Sequence, residues 1–125
     1  VIHEYSDGED ETGADCNLRR IADGIAERGG KPYVIPLGAD HPPVGPLGYV
    51  EDAAELITQA DAMDVTIDTV VVPSGIASTH AGMLAGMKAM GSPIRVLGIC
   101  VSCDAGAQGP RVLKRTRETL ELADL

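Results

Sequence analysis

The ten residues from Pro73 to Gly82, Pro-Ser-Gly-Ile-Ala-Ser-Thr-His-Ala-Gly, are the part of this chain best equipped for chemistry. They follow the charge-free, β-branched run Thr69-Val-Val-Val72 and precede a stretch rich in Met and Ala. A strand, a turn of small and hydroxylated residues, and then a helix make a backbone cradle for phosphate. The turn leaves N–H groups free, the helix dipole favours an anion at its N-terminus, and Ser and Thr add hydroxyl donors. The stretch is not a P-loop, because no Gly-Lys-Ser/Thr ending follows. Nor is it the dinucleotide fingerprint, because Gly75 lacks the second and third glycines at the required spacing. On pattern alone, an ordinary strand-to-helix turn that binds nothing fits about as well. A generic mononucleotide or phosphate site stays open beside it.

Other reactive residues carry less. Cys100-Val-Ser-Cys103 has the C-x-x-C spacing. A zinc site needs a second ligand pair, and none is evident. A thioredoxin-like motif should open a helix directly, whereas a loop is expected here. Cys100 reads as a core strand residue and Cys103 as an incidental loop thiol. His80 follows the turn and serves helix packing at least as well as a ligand. His41 lies in a Gly/Pro-rich loop. Met83, Met87 and Met90 recur at helical spacing and read as core filler. The acidic segment Glu4–Asp15 lacks the alternating ligands of an EF-hand loop and reads as solvated. No metal site is expected.

These residues need elements to position them. The chain has 125 residues, enough for one domain with a real core. That core must be aliphatic, since there are three Tyr and no Phe or Trp. Base-stacking platforms for single-stranded nucleic acid are thereby excluded. The net charge of −9, with six of the nineteen acids in residues 1–15, leaves no basic patch for nucleic acid. Three cysteines argue against a secreted disulfide scaffold. No apolar run is long enough for a membrane span and no signal peptide is visible. A cytoplasmic address follows, although the chain begins with Val and an upstream segment can be missing.

Val1–Tyr5 could end a strand. Helix periodicity over 17–28 puts Leu18, Ile21, Ala22 and Ile25 on one face, and Gly29-Gly30 ends it. Pro32–Leu37 reads as a short buried strand, and 38–45 as a loop. Pro46 opens a helix to about Ala60 with Leu47, Val50, Ala54 and Ile57 inward. Thr69–Val72 is a strand, Ser78–Met90 a helix, Ile94–Val101 a strand, and Pro110 the start of a last helix. Alternating strands and helices imply an α/β fold: a three-layer parallel sheet, right-handed crossovers and helices on both faces. Ligands in such folds sit at the carboxyl ends of strands, where the loops at 38–45, 73–79 and 102–109 fall.

Two segments together are more specific than either alone. Pro32-Tyr-Val-Ile-Pro36, Gly38 and Gly45-x-Leu47-Gly48-Tyr49-Val50 precede Ser74-Gly75 and Thr79-His80-Ala81-Gly82, and then Arg95-Val-Leu-Gly-Ile-Cys-Val-Ser102. In this order they resemble the D-cysteine desulfhydrase and 1-aminocyclopropane-1-carboxylate deaminase family over roughly residues 17–115. The resemblance implies a tryptophan-synthase-β-like fold with pyridoxal 5'-phosphate as cofactor. Gly75, Ser78 and Thr79, with the backbone N–H groups of Ile76 and Ala77, would hold its phosphate. Ile76 would crowd the approach. Gly38, Ala39, Asp40 and His41 would line the substrate side.

The implied reaction is elimination from a small amino acid, first D-cysteine to pyruvate, sulfide and ammonia. The cofactor would act as electron sink. The Asp40-His41-Pro42 stretch keeps the cyclopropane-opening deaminase as an alternative, and an L-cysteate sulfo-lyase is another. A non-catalytic phosphate-binding module is the reading from a different class. No lysine here matches the family's Schiff-base lysine, since Lys31, Lys88 and Lys114 all read as surface residues. Residues 1–125 are therefore expected to be one α/β domain, the central piece of a longer enzyme. Alone it would lack a catalytic residue and be marginally stable or associate through exposed sheet edges. The complete enzyme is expected to be a homodimer.

Overall fold

The computed structural model describes residues 11–38 and 41–125. The chain falls into two compact units, Val1–His41 and Pro42–Leu125, and each is described by itself. The sequence pattern predicts one α/β domain over residues 1–125. The possible strand at Val1–Tyr5 lies outside the described residues.

The first unit contains helix α1, Glu11–Glu27. Leu18, Ile21, Ala22 and Ile25 are all half-buried, as the periodicity predicted. The helix closes through Gly29, which adopts φ 79°. Gly30 N–H reaches Ile25 carbonyl at 3.0 Å and Gly29 N–H reaches Ala26 carbonyl at 2.8 Å. These two bonds satisfy carbonyls that the helix end would otherwise leave without partners. The expected strand at Pro32–Leu37 is not formed: the segment is irregular and largely exposed. Two of its six residues, Pro32 and Pro36, have no N–H to give a ladder. A third donor, Leu37 N–H, is taken at 2.7 Å by the Asp15 carboxylate.

The second unit runs α2 (Val44–Ala62), β1 (Thr69–Ser74), α3 (Ser78–Ala89), β2 (Arg95–Cys100) and α4 (Ala105–Leu122). The two strands pair in parallel, Thr69 opposite Arg95 through Ser74 opposite Cys100. Helix α3 is the crossover between them, as a parallel pair requires. The core is the cluster Ala53, Val72, Met83 and Met87, with Tyr49, Leu56, Ile57, Val70, Ile94 and Val96 packed around it. It is aliphatic, as the composition demanded. Met83 and Met87 are buried, whereas Met90, expected beside them, is 41% exposed at the end of α3. The opposite face of the two strands presents Val71, Leu97 and Ile99 outward.

The buried stripe of α2 is Pro46, Ala53 and Ala60. That is rotated by about one residue from the expected Leu47, Val50, Ala54 and Ile57. The cause lies on α3. A Cβ on Gly82 would sit 2.3 Å from the Pro46 carbonyl oxygen, and one on Gly86 would sit 2.6 Å from Ala53 Cβ. Close backbone approach at two glycines four residues apart sets the seam, so small residues face it and larger ones flank it.

Helix α4 begins at Ala105, five residues before the expected start at Pro110. Asp104 caps it, accepting from Ala107 N–H at 2.9 Å. An Asp at this position is a readable start signal. Pro110 lies inside the helix.

Candidate functional site

Because β1 and β2 are parallel, Ser74 and Cys100 end them on the same edge. The chain leaves β1 through Gly75, Ile76 and Ala77 and enters α3 at Ser78. Ala77 is the N-cap and adopts a left-handed conformation, φ 70° and ψ −7°. That conformation costs an alanine about 1–2 kcal/mol. Its methyl caps nothing, and the first turn of α3 holds no acidic residue. The early N–H groups of a helix have no intrahelical partner, so this end favours an anion. Ser78 and Thr79 stand half-buried in that first turn. The five residues expected to hold a phosphate thus surround one helix N-terminus. Ile76 is partly exposed.

Beneath the turn lies a buried polar network. Ser74 Oγ is 3.0 Å from His80 Nδ1 and accepts from Gln108 Nε2 at 2.9 Å. Gln108 Nε2 also donates to the Gly75 carbonyl at 2.8 Å. Gln108 Oε1 accepts from Cys103 Sγ at 3.1 Å. Ser74 and Gln108 are almost fully buried. Burial holds the His80 imidazole below its ordinary range, partly opposed by its hydrogen bond to the Val96 backbone. A neutral ring that donates from one nitrogen to a carbonyl has its other nitrogen free to accept. Ser74 Oγ thus lies between the His80 ring and the Gln108 amide, whose N–H it accepts. The ring lies over Gly98, where a Cβ would come within 2.3 Å of it.

In the first unit, Gly38 and His41 of the expected substrate-side loop are described. Ala39 and Asp40 lie outside the described residues. Asp15 organises this loop. Its carboxylate accepts from Leu37 N–H at 2.7 Å and Gly38 N–H at 2.9 Å, and lies 3.1 Å from His41 Nε2. Arg19 Nη2 is 3.4 Å from the same His41 nitrogen. Burial alone would raise the Asp15 carboxyl, but the two N–H donors and His41 together hold it below its ordinary value. A Cβ on Gly38 would meet Asp15 Oδ2 at 2.7 Å, so glycine admits the carboxylate.

Gln108 and Asp15 escaped the sequence reading. Asp15 stood in an acidic run that looked solvated, and Gln108 in a stretch read as loop. The Asp104 cap would have put Gln108 in a first helical turn, directly after a strand. Cys103, read as incidental, is tied to Gln108. Lys31 and Lys88 are exposed, and Lys114 pairs with Glu118 at 3.7 Å. Among the described residues no cluster of His, Cys, Asp and Glu could hold a metal ion, and no helix is long and apolar enough to cross a membrane.

No family model matches the chain. It is 39% identical over 121 residues to a 1-aminocyclopropane-1-carboxylate deaminase of Pseudomonas syringae pv. tomato, a match covering 93% of this chain and 36% of that protein. It is 37% identical over 102 residues to a D-cysteine desulfhydrase of Salmonella typhi, covering 82% of this chain and 30% of the relative. Among solved structures, an ACC deaminase homologue superposes with a TM-score of 0.77 at 32% identity, over 96% of this chain and 36% of that one. The chain spans about a third of the length of these relatives.

Proposed function

Because the chain belongs, over the stretch it spans, to the 1-aminocyclopropane-1-carboxylate deaminase and D-cysteine desulfhydrase family, with its α/β, tryptophan-synthase-β-like fold, we propose that the protein carrying it binds pyridoxal 5'-phosphate at Gly75–Thr79 and acts as a lyase or deaminase on a small amino acid. The observation that carries this reading is the N-terminus of α3. Its cap is a methyl group in a left-handed backbone, its first turn holds no acid, and two hydroxyls flank it. These features suit a phosphate monoester, which supplies the charge and acceptors that the turn lacks.

In this reading the backbone N–H groups of Ile76 and Ala77 and the hydroxyls of Ser78 and Thr79 bind the phosphate. When bound, the cofactor supplies an electron sink for bonds broken at the substrate α-carbon. Gly38, Ala39, Asp40 and His41 serve the substrate side, with Asp15 fixing the shape of that loop. Neutral His80 works as a half-buried brace. None of the three lysines is assigned to the cofactor, so the protein's remaining sequence supplies that lysine. The complete enzyme is proposed to be a cytoplasmic homodimer.

D-Cysteine is the substrate to test first. The 39% identity to a named deaminase supports ring opening of 1-aminocyclopropane-1-carboxylate as the second reading. The full-length protein should be titrated with pyridoxal 5'-phosphate and assayed for sulfide, 2-oxobutanoate and, from cysteate, sulfite. Thr79→Val removes one hydroxyl at constant shape. A charge-assisted hydrogen bond contributes about 1.5–3 kcal/mol, so cofactor affinity should fall about 10- to 100-fold. A protein that binds nucleotide but not pyridoxal 5'-phosphate would instead be a non-catalytic phosphate-binding module.

A further inference from the structure

We infer that Gln108, through its side-chain amide, is the positioning residue that sets the direction of the peptide between Gly75 and Ile76 in the anion-binding turn. The inference rests on the reading above, and deepens it. Gln108 is 2% exposed, in the first turn of α4. Its Nε2 donates to the Gly75 carbonyl at 2.8 Å, and Ser102 Oγ approaches the same oxygen at 3.4 Å. In a trans peptide the carbonyl of one residue and the N–H of the next point in opposite directions. Holding the Gly75 oxygen on the Gln108 side therefore turns the Ile76 N–H away from it. Ser74 and Gln108, both almost fully buried, occupy the carbonyl side of this peptide, which leaves the side that the N–H faces for an anion. With the peptide reversed, the turn would present a carbonyl oxygen there and repel a phosphate.

The orientation of Gln108 is itself determined. Cys103 Sγ donates to Oε1 at 3.1 Å, which fixes the amide oxygen on that side and the NH2 on the other. Ser74 Oγ accepts the same Nε2 at 2.9 Å and is itself held 3.0 Å from His80 Nδ1. Gly98 leaves the space in which the His80 ring lies. The Gln108 amide is thus held at its oxygen by Cys103 and at its nitrogen by Ser74 and Gly75, so the peptide is held before any ligand arrives.

The test uses the full-length protein. Gln108→Glu keeps the shape and the acceptor for Cys103 but turns an acceptor toward the Gly75 carbonyl. Gln108→Met keeps length and packing and covers the case in which the glutamate variant does not fold. Affinities are measured for pyridoxal 5'-phosphate, for pyridoxal, which lacks the phosphate, and for inorganic phosphate as competitor. The expected result is at least a tenfold loss for both phosphate-bearing probes, with pyridoxal affinity within twofold of wild type. Unchanged affinity for the phosphate probes, or an equal loss for all three, overturns the inference. If wild type binds inorganic phosphate but not pyridoxal 5'-phosphate, the cofactor reading falls and the phosphate arm alone decides the role of Gln108. If wild type binds neither, both fall.

Discussion

A buried carboxylate and a buried amide shape the two candidate loops, and neither touches a ligand in the reading given above. Asp15 takes the N–H groups of Leu37 and Gly38 and holds His41. Removing it strands the buried Gly38 N–H, at about 1–3 kcal/mol for a buried group left unsatisfied, and frees the part-buried Leu37 N–H to water at less cost. Asp15→Ala should therefore speed amide exchange at Leu37 and Gly38 by tenfold or more, while Asp15→Asn, which keeps one acceptor, should cause less. Hydrogen exchange followed at single residues checks this, and unchanged rates in the alanine variant would refute the clamp. At this scale the sequence was partly legible. The hydroxyls and small residues at 74–79 announced themselves because a phosphate cradle has a local pattern. Asp15 and Gln108 did not, because the groups they hold, Leu37 N–H for the one and Ser74 and the Gly75 carbonyl for the other, lie 22 to 34 residues away along the chain. No local spacing encodes such a contact.

Helices were legible where they stop and less so where they start. Gly29 and Gly91 both end helices with positive φ, and both were visible as breakers. Asp64 and Asp124 close α2 and α4 in the same left-handed way, without a glycine to mark the place. The irregular Pro32–Leu37 segment shows the limit of composition: Tyr33, Val34 and Ile35 favour a strand, yet a ladder needs donors that the two prolines lack. The α2–α3 seam was read for its large residues, whereas its small ones decide it. Gly82→Ala gains about 1 kcal/mol of helix propensity. Against that, the new Cβ would sit 2.3 Å from the Pro46 carbonyl oxygen and 2.5 Å from Tyr49 Cβ. Backbone cannot yield as a side-chain tip does, and overpacking costs about 1–3 kcal/mol, so the clash wins. Chemical denaturation should show a net loss of up to about 2 kcal/mol. A stabilised variant would mean that the helices separate easily.

At the scale of the whole molecule, each unit holds, among the described residues, a group whose proton affinity is lowered by folding. His80 in the second unit is held below its ordinary 6.5, and Asp15 in the first below its ordinary 3.8. In both cases the unfolded chain takes up a proton first as the pH falls. Stability from His80 is therefore complete above about pH 6.5 and declines as acid carries the solution down through the folded-state value. Stability from Asp15 is complete above 3.8 and declines below it. Melting curves between pH 7 and 5 should show the second unit weakening while Asp15 is still fully ionised. His80→Gln, which can accept from Ser74 and donate to Val96, should flatten that decline, and a slope unchanged in this variant would exclude His80 as its source. The parallel pairing of β1 with β2 across α3 was legible at this scale because βαβ connectivity constrains it, whereas the strand expected at Pro32–Leu37 drops out of the order.

The glycines at 82, 86 and 98 add a consequence for descent. Each is kept small by a neighbour, not by a turn: Pro46, Ala53 and the His80 ring occupy the space a methyl would need. Around Gly45 and Gly48 nothing lies within 4 Å of such a methyl. Packing alone therefore holds the first three positions to glycine as related chains diverge. A map of invariance drawn over this molecule would trace a packing seam as brightly as a binding site, and the two must be told apart by contacts, not by constancy.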